Sequence, residues 1–204
     1  MTQGVVLKPG RAFLSRLCAV VLWDGASLPA DLKAECEREY GRLCLVAEQI
    51  RGLEAEQVKR LEGSDRPELK QVLALARLRG LGPGSAWVLV IEFFGWRGFR
   101  NRREVGAAAG LVGTPYASGQ STRDQGISKA GNRRVRALII ELAWAWLRYQ
   151  PNSALSRWFE ERFGSGGKRS RRIGIVALAR RLLVAFWRYH EFGEVPAGAE
   201  LKPV

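Results

Sequence analysis

The chain has 204 residues, with 33 Lys or Arg against 20 Asp or Glu, so its formal net charge is +13. Hydrophobic residues make up 47% and charged residues 26%, a balance that excludes a wholly disordered chain. No apolar run approaches the roughly 18–20 residues of a membrane span, and the start lacks signal-peptide features, so we expect a cytoplasmic protein without a membrane partner.

The positive charge is concentrated in the second half of the chain. Residues 1–92 hold 13 basic and 12 acidic residues, whereas residues 93–204 hold 20 basic and 8 acidic residues. Most of these cations are arginines, whose planar guanidinium suits bidentate contact with phosphate. The asymmetry predicts contact with nucleic acid, and the alternative is a basic surface that is merely solvated.

Residues 1–66 are predicted to form a helical segment with one long helix from about residue 30 to residue 61. Apolar side chains in it follow the 3-4 spacing of a heptad seam, at Leu43, Val46, Ile50, Leu53 and Leu61. This spacing fits a coiled coil that dimerises the protein, and it fits one helix of a bundle equally well.

The cysteines and the single histidine carry little predicted chemistry. Cys18, Cys36 and Cys44 lack the spacing of a metal site and are expected to be reduced thiols in the core. His190 stands near the end of a helical stretch, so we expect it to be a structural residue of a helix C-terminus and not a general base. No metal site is predicted from these residues.

A glycine-rich break separates two short predicted helices, at about residues 68–79 and from about residue 85 to residue 94. Its glycines, Gly80, Gly82 and Gly84, alternate with hydrophobic residues, a pattern typical of a helix-hairpin-helix. Such glycines permit a tight hairpin whose backbone N–H groups approach a phosphate. The alternative is a turn whose glycines serve packing alone.

The region from residue 110 to residue 132 is predicted to be a long polar loop rich in Gly, Ser and Thr. Loops of this length inside a compact domain tend to be functional or disordered. A buried helix is predicted at residues 133–149, a short helix at 154–163, a flexible basic loop at 164–172 and a last helix at 173–189. The tail, residues 193–204, is expected to be frayed.

These patterns predict a mainly α, all-helical fold. The predicted organisation is a helical linker or coiled coil at residues 1–66, a helical module at residues 67–192 and a tail at residues 193–204. No internal repeat and no strand alternation is evident.

Several motifs in the second half resemble a known family. In order they are Gly80-Leu-Gly-Pro-Gly-Ser-Ala86, Phe99, Gly110-Leu111, Ser118-Gly119, Gly126-Ile-Ser-Lys-Ala-Gly-Asn132, Arg136 and Ala179-Arg-Arg-Leu-Leu183. Together they resemble the C-terminal transposase module of the insertion-sequence "one-ten / one-sixteen" family, the bridge-RNA-guided recombinases. The resemblance covers roughly residues 70–192.

The resemblance implies a role for particular residues. Ser118 matches the family's serine nucleophile, which attacks a backbone phosphate and links the protein covalently to DNA. The DNA contacts that we predict are the glycines of the hairpin pattern, the cations around the polar loop, which suit phosphate, and one asparagine: Gly80, Gly82, Gly84, Arg123, Lys129, Asn132, Arg133, Arg134 and Arg136. The family's Mg²⁺ is held by a RuvC-like domain with four acidic ligands, which this sequence does not match, so we expect no cofactor bound by this chain.

The resemblance therefore predicts a truncated transposase that acts in the transposition of an insertion sequence. Its expected partners are DNA, a structured guide RNA and a second copy of the chain, in the bacterial nucleoid. One alternative is a non-catalytic helix-hairpin-helix DNA-binding module. The other is a decayed remnant, which Gln120 and the Gly113-Thr114-Pro115 segment would favour because both depart from the family pattern.

Overall fold

The computed structural model describes residues 5–118 and 121–203, and of residues 115–118 and 121–125 it describes only the backbone. The fold is mainly α, as predicted. The helices are α1 (Phe13–Cys18), α2 (Ala30–Leu61), α3 (Pro67–Ala76), α4 (Pro83–Leu89), α5 (Arg102–Ala108), α6 (Arg133–Tyr149), α7 (Ala154–Phe159) and α8 (Lys168–Phe192). No helix of the described ranges is both long and apolar enough to cross a bilayer.

The chain divides into two compact units, with the division after Gln57, inside α2. In the first unit, the ring of Phe13 stacks on that of Tyr40 at 4.5 Å, and the Tyr40 hydroxyl donates to the carbonyl of Gly10 at 2.8 Å. The predicted domain boundary at residue 66 stays a prediction.

The long helix α2 has the predicted bounds, but its seam residues differ in burial. Leu43, Val46, Ile50 and Leu53 are exposed, whereas Leu61 is buried in the core of the second unit. The three cysteines are free thiols, as predicted, but the prediction that they lie in the core is wrong, because Cys18 and Cys44 are exposed and Cys36 is only half-buried.

The core of the second unit is built around α8, which packs on α6. The apolar stripe of α6 includes Ile139 and Trp146, and the Trp146 indole meets the ring of Phe186 edge to face at 5.6 Å. Residues of α8 at helical spacing, Leu178, Leu182 and Phe186, are fully buried in this contact. The prediction of α6 as a buried helix over residues 133–149 is therefore confirmed.

Helix α8 begins at Lys168, so the prediction of a flexible basic loop up to Arg172 is wrong. Gly174 lets the preceding segment pack closely here, since a Cβ at this position would stand 2.5 Å from Cγ of Phe163. This contact anchors the first turns of α8, although their residues carry no apolar pattern.

Helices α4 and α7 both end in a π-helical turn, at Val90–Phe94 and Glu160–Gly164. In the first of these turns the N–H of Gly95 donates to the carbonyl of Val90 at 2.7 Å. Gly95 is favoured there because a Cβ would stand 2.8 Å from that same oxygen. π-Helical turns of this kind occur frequently at functional sites.

The predicted long loop after Gly110 contains an antiparallel hairpin, so the loop prediction is wrong over the strands β1 (Gly113–Ser118) and β2 (Ser121–Ile127). Gly113 lies opposite Ile127 and Ser118 lies opposite Ser121, with a shift of register between Gly113 and Pro115. The strand sequences GTPYAS and STRDQGI have few apolar residues. The sequence therefore lacks the period-two alternation by which strands are recognised.

The tail is hydrogen-bonded to the turn between α3 and α4, so the expectation that it is frayed is wrong. The N–H of Lys202 donates to the carbonyl of Arg77 at 2.7 Å, and the N–H of Arg79 donates to that of Glu200 at 3.0 Å. The buried amide of Gln150 joins both segments, since its Nε2 donates to the carbonyls of Arg79 and Glu200.

Candidate nucleic-acid interface

The segment before α6 is held tightly against the end of α5 by backbone hydrogen bonds. The N–H of Ser128 donates to the carbonyl of Val112 at 2.8 Å, and that of Lys129 donates to Gly110 at 3.1 Å. The N–H of Asn132 donates to the carbonyl of Ala108 at 2.8 Å. These contacts fix both ends of the β1–β2 hairpin relative to α6.

Two glycines make this close approach possible. Gly110 has a φ of 68°, and Gly131 has a φ of 130°, in the region that favours glycine. A Cβ on Gly131 would stand 2.4 Å from the carbonyl oxygen of Ala108, and one on Gly110 would stand 2.5 Å from that of Ala130. The close packing of this segment therefore requires glycine at both positions.

Asn132 and Arg136 were predicted as DNA contacts, and both side chains serve the fold in this structure. The Asn132 Oδ1 accepts from the N–H of Val135 at 3.1 Å and so caps α6. The Arg136 Nη1 donates to the carbonyls of Ala109 at 3.1 Å and Lys129 at 3.0 Å. Their role in binding DNA stays a prediction, and their visible role is to position the segment.

The predicted nucleophile, Ser118, is the last residue of β1. Its backbone lies opposite Ser121, while the backbone of Arg123 lies opposite Tyr116. Gly119 and Gln120, between the two strands, lie outside the described residues. Ser118 thus lies at the end of the β1–β2 hairpin that is farthest from the segment preceding α6.

The three glycines of the α3–α4 turn have different surroundings. Gly80, with a φ of 90°, packs against Tyr149, whose Cβ would be 3.0 Å from an added Cβ. Gly82 is the N-cap of α4. Gly84 lines a groove of about 330 Å³ with Arg134 and neighbouring residues. The structure therefore brings only Gly84 together with a predicted cation.

Cations at the starts of α6 and α8 differ in whether they are paired. Arg134 forms an ion pair with Glu92, with Nη1 2.7 Å from Oε1. Within the described ranges, no acidic side chain pairs with Arg133, Lys168 or Arg169, all of which are exposed. Cations at a helix N-terminus oppose the helix dipole, and a bound anion would relieve this repulsion.

Sequence reasoning treated Lys168 and Arg169 as part of a flexible loop and did not include them among the site residues. The signal that could have found them is the absence of any acidic residue in the first turn of α8, next to four cations in five residues. A helix that begins this way is unfavourable by itself, which favours an anionic partner.

His190 lies near the end of α8 and its side chain is almost fully buried. Its imidazole stacks on the ring of Phe94 at 5.3 Å between centroids. Burial lowers the pKa of His190 below its ordinary value, and Glu191 partly opposes this effect. The group is therefore neutral near pH 7.

Among the side chains that the structure describes, those of residues 5–114 and 126–203, no group of three or more His, Cys, Asp or Glu could hold a metal ion. Mg²⁺ in enzymes is usually held by carboxylates and phosphates. The described residues of this chain therefore do not form a site that fits the family's Mg²⁺.

Residues 72–157 match the model described as "Transposase IS116/IS110/IS902 family". This segment is therefore a transposase module of that family, and the resemblance found in the sequence is confirmed.

Two relatives extend this similarity beyond the matched residues. The chain is 44% identical over 190 residues to "Putative transposase y4rJ" of Sinorhizobium fredii, covering 88% of this chain and 47% of that protein. It is 27% identical to the transposase for insertion sequence element IS1328 of Yersinia enterocolitica, covering 90% of this chain and 53% of that protein. The chain thus spans about half the length of these relatives.

Proposed function

We propose that this chain acts in the transposition of an insertion sequence, as a DNA-binding and serine-bearing part of a transposase. The single observation that carries the proposal is the 44% identity to a relative named as a transposase, over nearly the whole chain. The excess of 12 positive charges in residues 93–204, from 20 basic and 8 acidic residues, supports binding to a polyanion.

In this proposal Ser118 is the nucleophile. Its Oγ forms a bond to a backbone phosphorus, the bond from that phosphorus to a sugar oxygen breaks, and the departing oxygen takes up a proton. A serine hydroxyl needs activation for such a step, by a general base or by a metal ion. The Mg²⁺ of the family reaction would be supplied from outside the described residues.

The phosphate contacts proposed here come from exposed cations at the starts of α6 and α8. Arg133 at the start of α6 and Lys168 and Arg169 at the start of α8 carry no ion pair in the described ranges, which leaves them available to phosphate. Arg123, Lys129 and Arg134 are proposed to contribute as well. For Arg134 this would require exchange of its pair with Glu92.

The partners proposed for the chain are DNA, a structured guide RNA and a second copy of the chain. The exposed seam of α2, formed by Leu43, Val46, Ile50 and Leu53, supports the second copy, because a coiled coil would cover these side chains. Guide RNA is proposed from the family alone.

The test of the serine chemistry is a search for a covalent protein–DNA adduct. The chain is incubated with Mg²⁺, with a RuvC-like domain of the family that supplies the acidic metal ligands, and with labelled duplexes that carry the ends of the insertion sequence, and the mixture is then run on a denaturing gel. We expect an adduct that disappears in Ser118→Ala and persists in the matched control Ser121→Ala. An adduct that persists in Ser118→Ala would contradict the proposed nucleophile.

A second candidate is a non-catalytic helix-hairpin-helix DNA-binding module, or a remnant that only binds. The groove that joins Gly84 to Arg134 favours this candidate, because it places a glycine turn beside a cation. Such a module would bind duplex DNA with a steep dependence on salt, form no adduct and be unaffected by Ser118→Ala.

A further inference from the structure

A second surface of the module contains a cavity that the proposed serine chemistry does not use. It is an open depression with a volume of about 370 Å³. Its lining comes from the end of the first π-helical turn, the loop that follows it, α3 and the end of α8. The lining residues are Gln71, Phe94, Gly95, Trp96, Arg97, Gly98, His190 and Glu191.

Trp96 is the most accessible aromatic residue of this cavity, with 63% of its surface exposed. Its indole N–H donates to the carbonyl of Glu92 at 2.9 Å, which fixes the ring on the π-helical turn. The guanidinium of Arg97 lies 4.2 Å from the ring centroid and covers part of the indole. Trp96 therefore does not belong to the hydrophobic core, unlike the buried Trp146.

The inner wall of the cavity includes a polar group without a partner. The side chain of His190 is only 4% exposed, and its Nδ1 has no hydrogen-bond partner in the part of the chain that the structure describes. An unpaired buried polar atom costs free energy, which a hydrogen-bonding ligand would recover. Gln71 adds a neutral side chain that both donates and accepts.

The charges around the cavity favour a planar neutral group over a bare anion. Arg97 carries a positive charge and Glu191 a negative one, so a free phosphate in the cavity would be repelled by the carboxylate. A nucleobase has a π-face for Trp96 and polar edges for Gln71 and His190, and its sugar-phosphate would remain outside near Arg97. These complementary features identify the class of ligand.

We propose that this cavity takes one unpaired nucleobase of the bound nucleic acid, with Trp96 as its stacking platform. The proposal rests on the nucleic-acid binding put forward above, and it adds a site that reads an unpaired base. The same base chemistry is present in DNA and in RNA, so the two sources are separated by experiment.

The test compares the affinity of the full chain for four labelled 12-nucleotide strands: oligo-dT, oligo-U, and an abasic strand of the matching sugar for each, deoxyribose phosphate or ribose phosphate. Each pair has the same sugar and the same backbone charge, so a difference within a pair reports the bases. We expect oligo-dT, oligo-U or both to bind about 5-fold or more tightly than the matching abasic strand. Stacking of one base on an aromatic ring raises the affinity by at least this much. A preference for oligo-dT alone indicates DNA, one for oligo-U alone indicates RNA, and either supports the site.

Three variants make the test specific to Trp96. Trp96→Ala is expected to remove the preference for bases while keeping abasic and duplex affinity within about 2-fold, whereas Trp96→Phe keeps the preference because a ring remains. Trp144→Ala is the matched control, because Trp144 is an exposed tryptophan of α6 outside the cavity. Thermal unfolding of each variant verifies that it is folded.

The proposal is overturned if the wild-type chain binds based and abasic strands equally, or if Trp96→Ala keeps the preference. Failure of the whole nucleic-acid account looks different: neither strand nor duplex would bind even at low salt. Binding of all strands and duplex without any preference for bases would remove the cavity proposal and leave the proposed function intact.

Discussion

Arg136 donates through Nη1 to the carbonyl oxygen of Lys129 at 3.0 Å, and this contact joins two residues that the sequence had assigned together to DNA. The same atom reaches the carbonyl of Ala109. The basic cluster before α6 is thus divided: Arg136 faces the protein, while Arg133, three residues earlier, is exposed. Clustered cations in a motif therefore need not share one function.

This division predicts that two matched substitutions differ in their effect on the free energy of unfolding. Arg136→Met should lower the free energy of unfolding by about 1–3 kcal/mol, because two carbonyls lose their charged donor. Arg133→Met should change it by less than about 0.5 kcal/mol, as exposed substitutions do. Urea denaturation of both variants measures the difference, and equal losses would contradict the assignment.

Gly131 is predicted to tolerate no side chain. Gly131→Ala should cost about 2 kcal/mol or more, because its Cβ would meet the backbone oxygen of Ala108 and its φ of 130° is strained for alanine. The control is Gly84→Ala, where nothing lies within 4 Å of an added Cβ. Chemical denaturation should show Gly84→Ala as stable as the wild type or slightly more stable. A stable Gly131→Ala would show that this segment is not held as described.

The tail should depend on one buried amide. Gln150 is 1% exposed, and besides its two donated bonds its Oε1 accepts from the N–H of Glu200 at 2.8 Å. Gln150→Leu should cost about 2–3 kcal/mol, because buried backbone groups lose their partners. Limited proteolysis should then cleave the tail faster than in the wild type. Unchanged cleavage would indicate that other contacts hold the tail.

The single histidine gives the protein a specific dependence on pH. The pKa of His190 is lowered in the folded state, so below its ordinary value of 6.5 the unfolded chain binds the proton more readily. The contribution of His190 to stability is therefore complete above pH 6.5 and is lost as the pH falls toward the folded pKa. His190→Phe should remove this component of the pH profile of unfolding, measured between pH 7.5 and pH 5. An identical profile in both proteins would contradict the burial of a neutral imidazole.

The sequence predicted an element well where its buried residues repeat at helical spacing. It predicted an element poorly where backbone contacts determine the structure. Helix α6 was predicted with its bounds because its apolar stripe repeats at helical spacing, and α2 because no Pro interrupts it. The β1–β2 hairpin was missed because its ladder leaves no apolar alternation in the sequence. The start of α8 was missed because Lys168 and its neighbours carry charge where a helix start favours acids.

The location of the candidate site stays a prediction, and the direction of its side chains could not be predicted from the sequence. The motif from Gly126 to Asn132 coincides with a segment that the structure holds against the end of α5, and the resemblance identified the family. The sequence could not show that Asn132 and Arg136 bond to the backbone, because this depends on the left-handed turn that brings Gly110 and Gly131 together. It also placed no ligand at Trp96, because the sequence does not show that this side chain is exposed beside a cavity.

The measurement that tests the central claim most directly is the salt dependence of duplex DNA affinity. The claim is that exposed cations at the starts of α6 and α8 contact phosphate. The double variant Arg133→Gln/Arg169→Gln is compared with the wild type and with Arg38→Gln/Arg51→Gln, a control of equal charge on α2. We predict that the slope of log Kobs against log salt falls by about 2 in the first variant, since each lost phosphate contact removes about 0.9. A slope that is unchanged there, or equally reduced in the α2 control, would contradict the account.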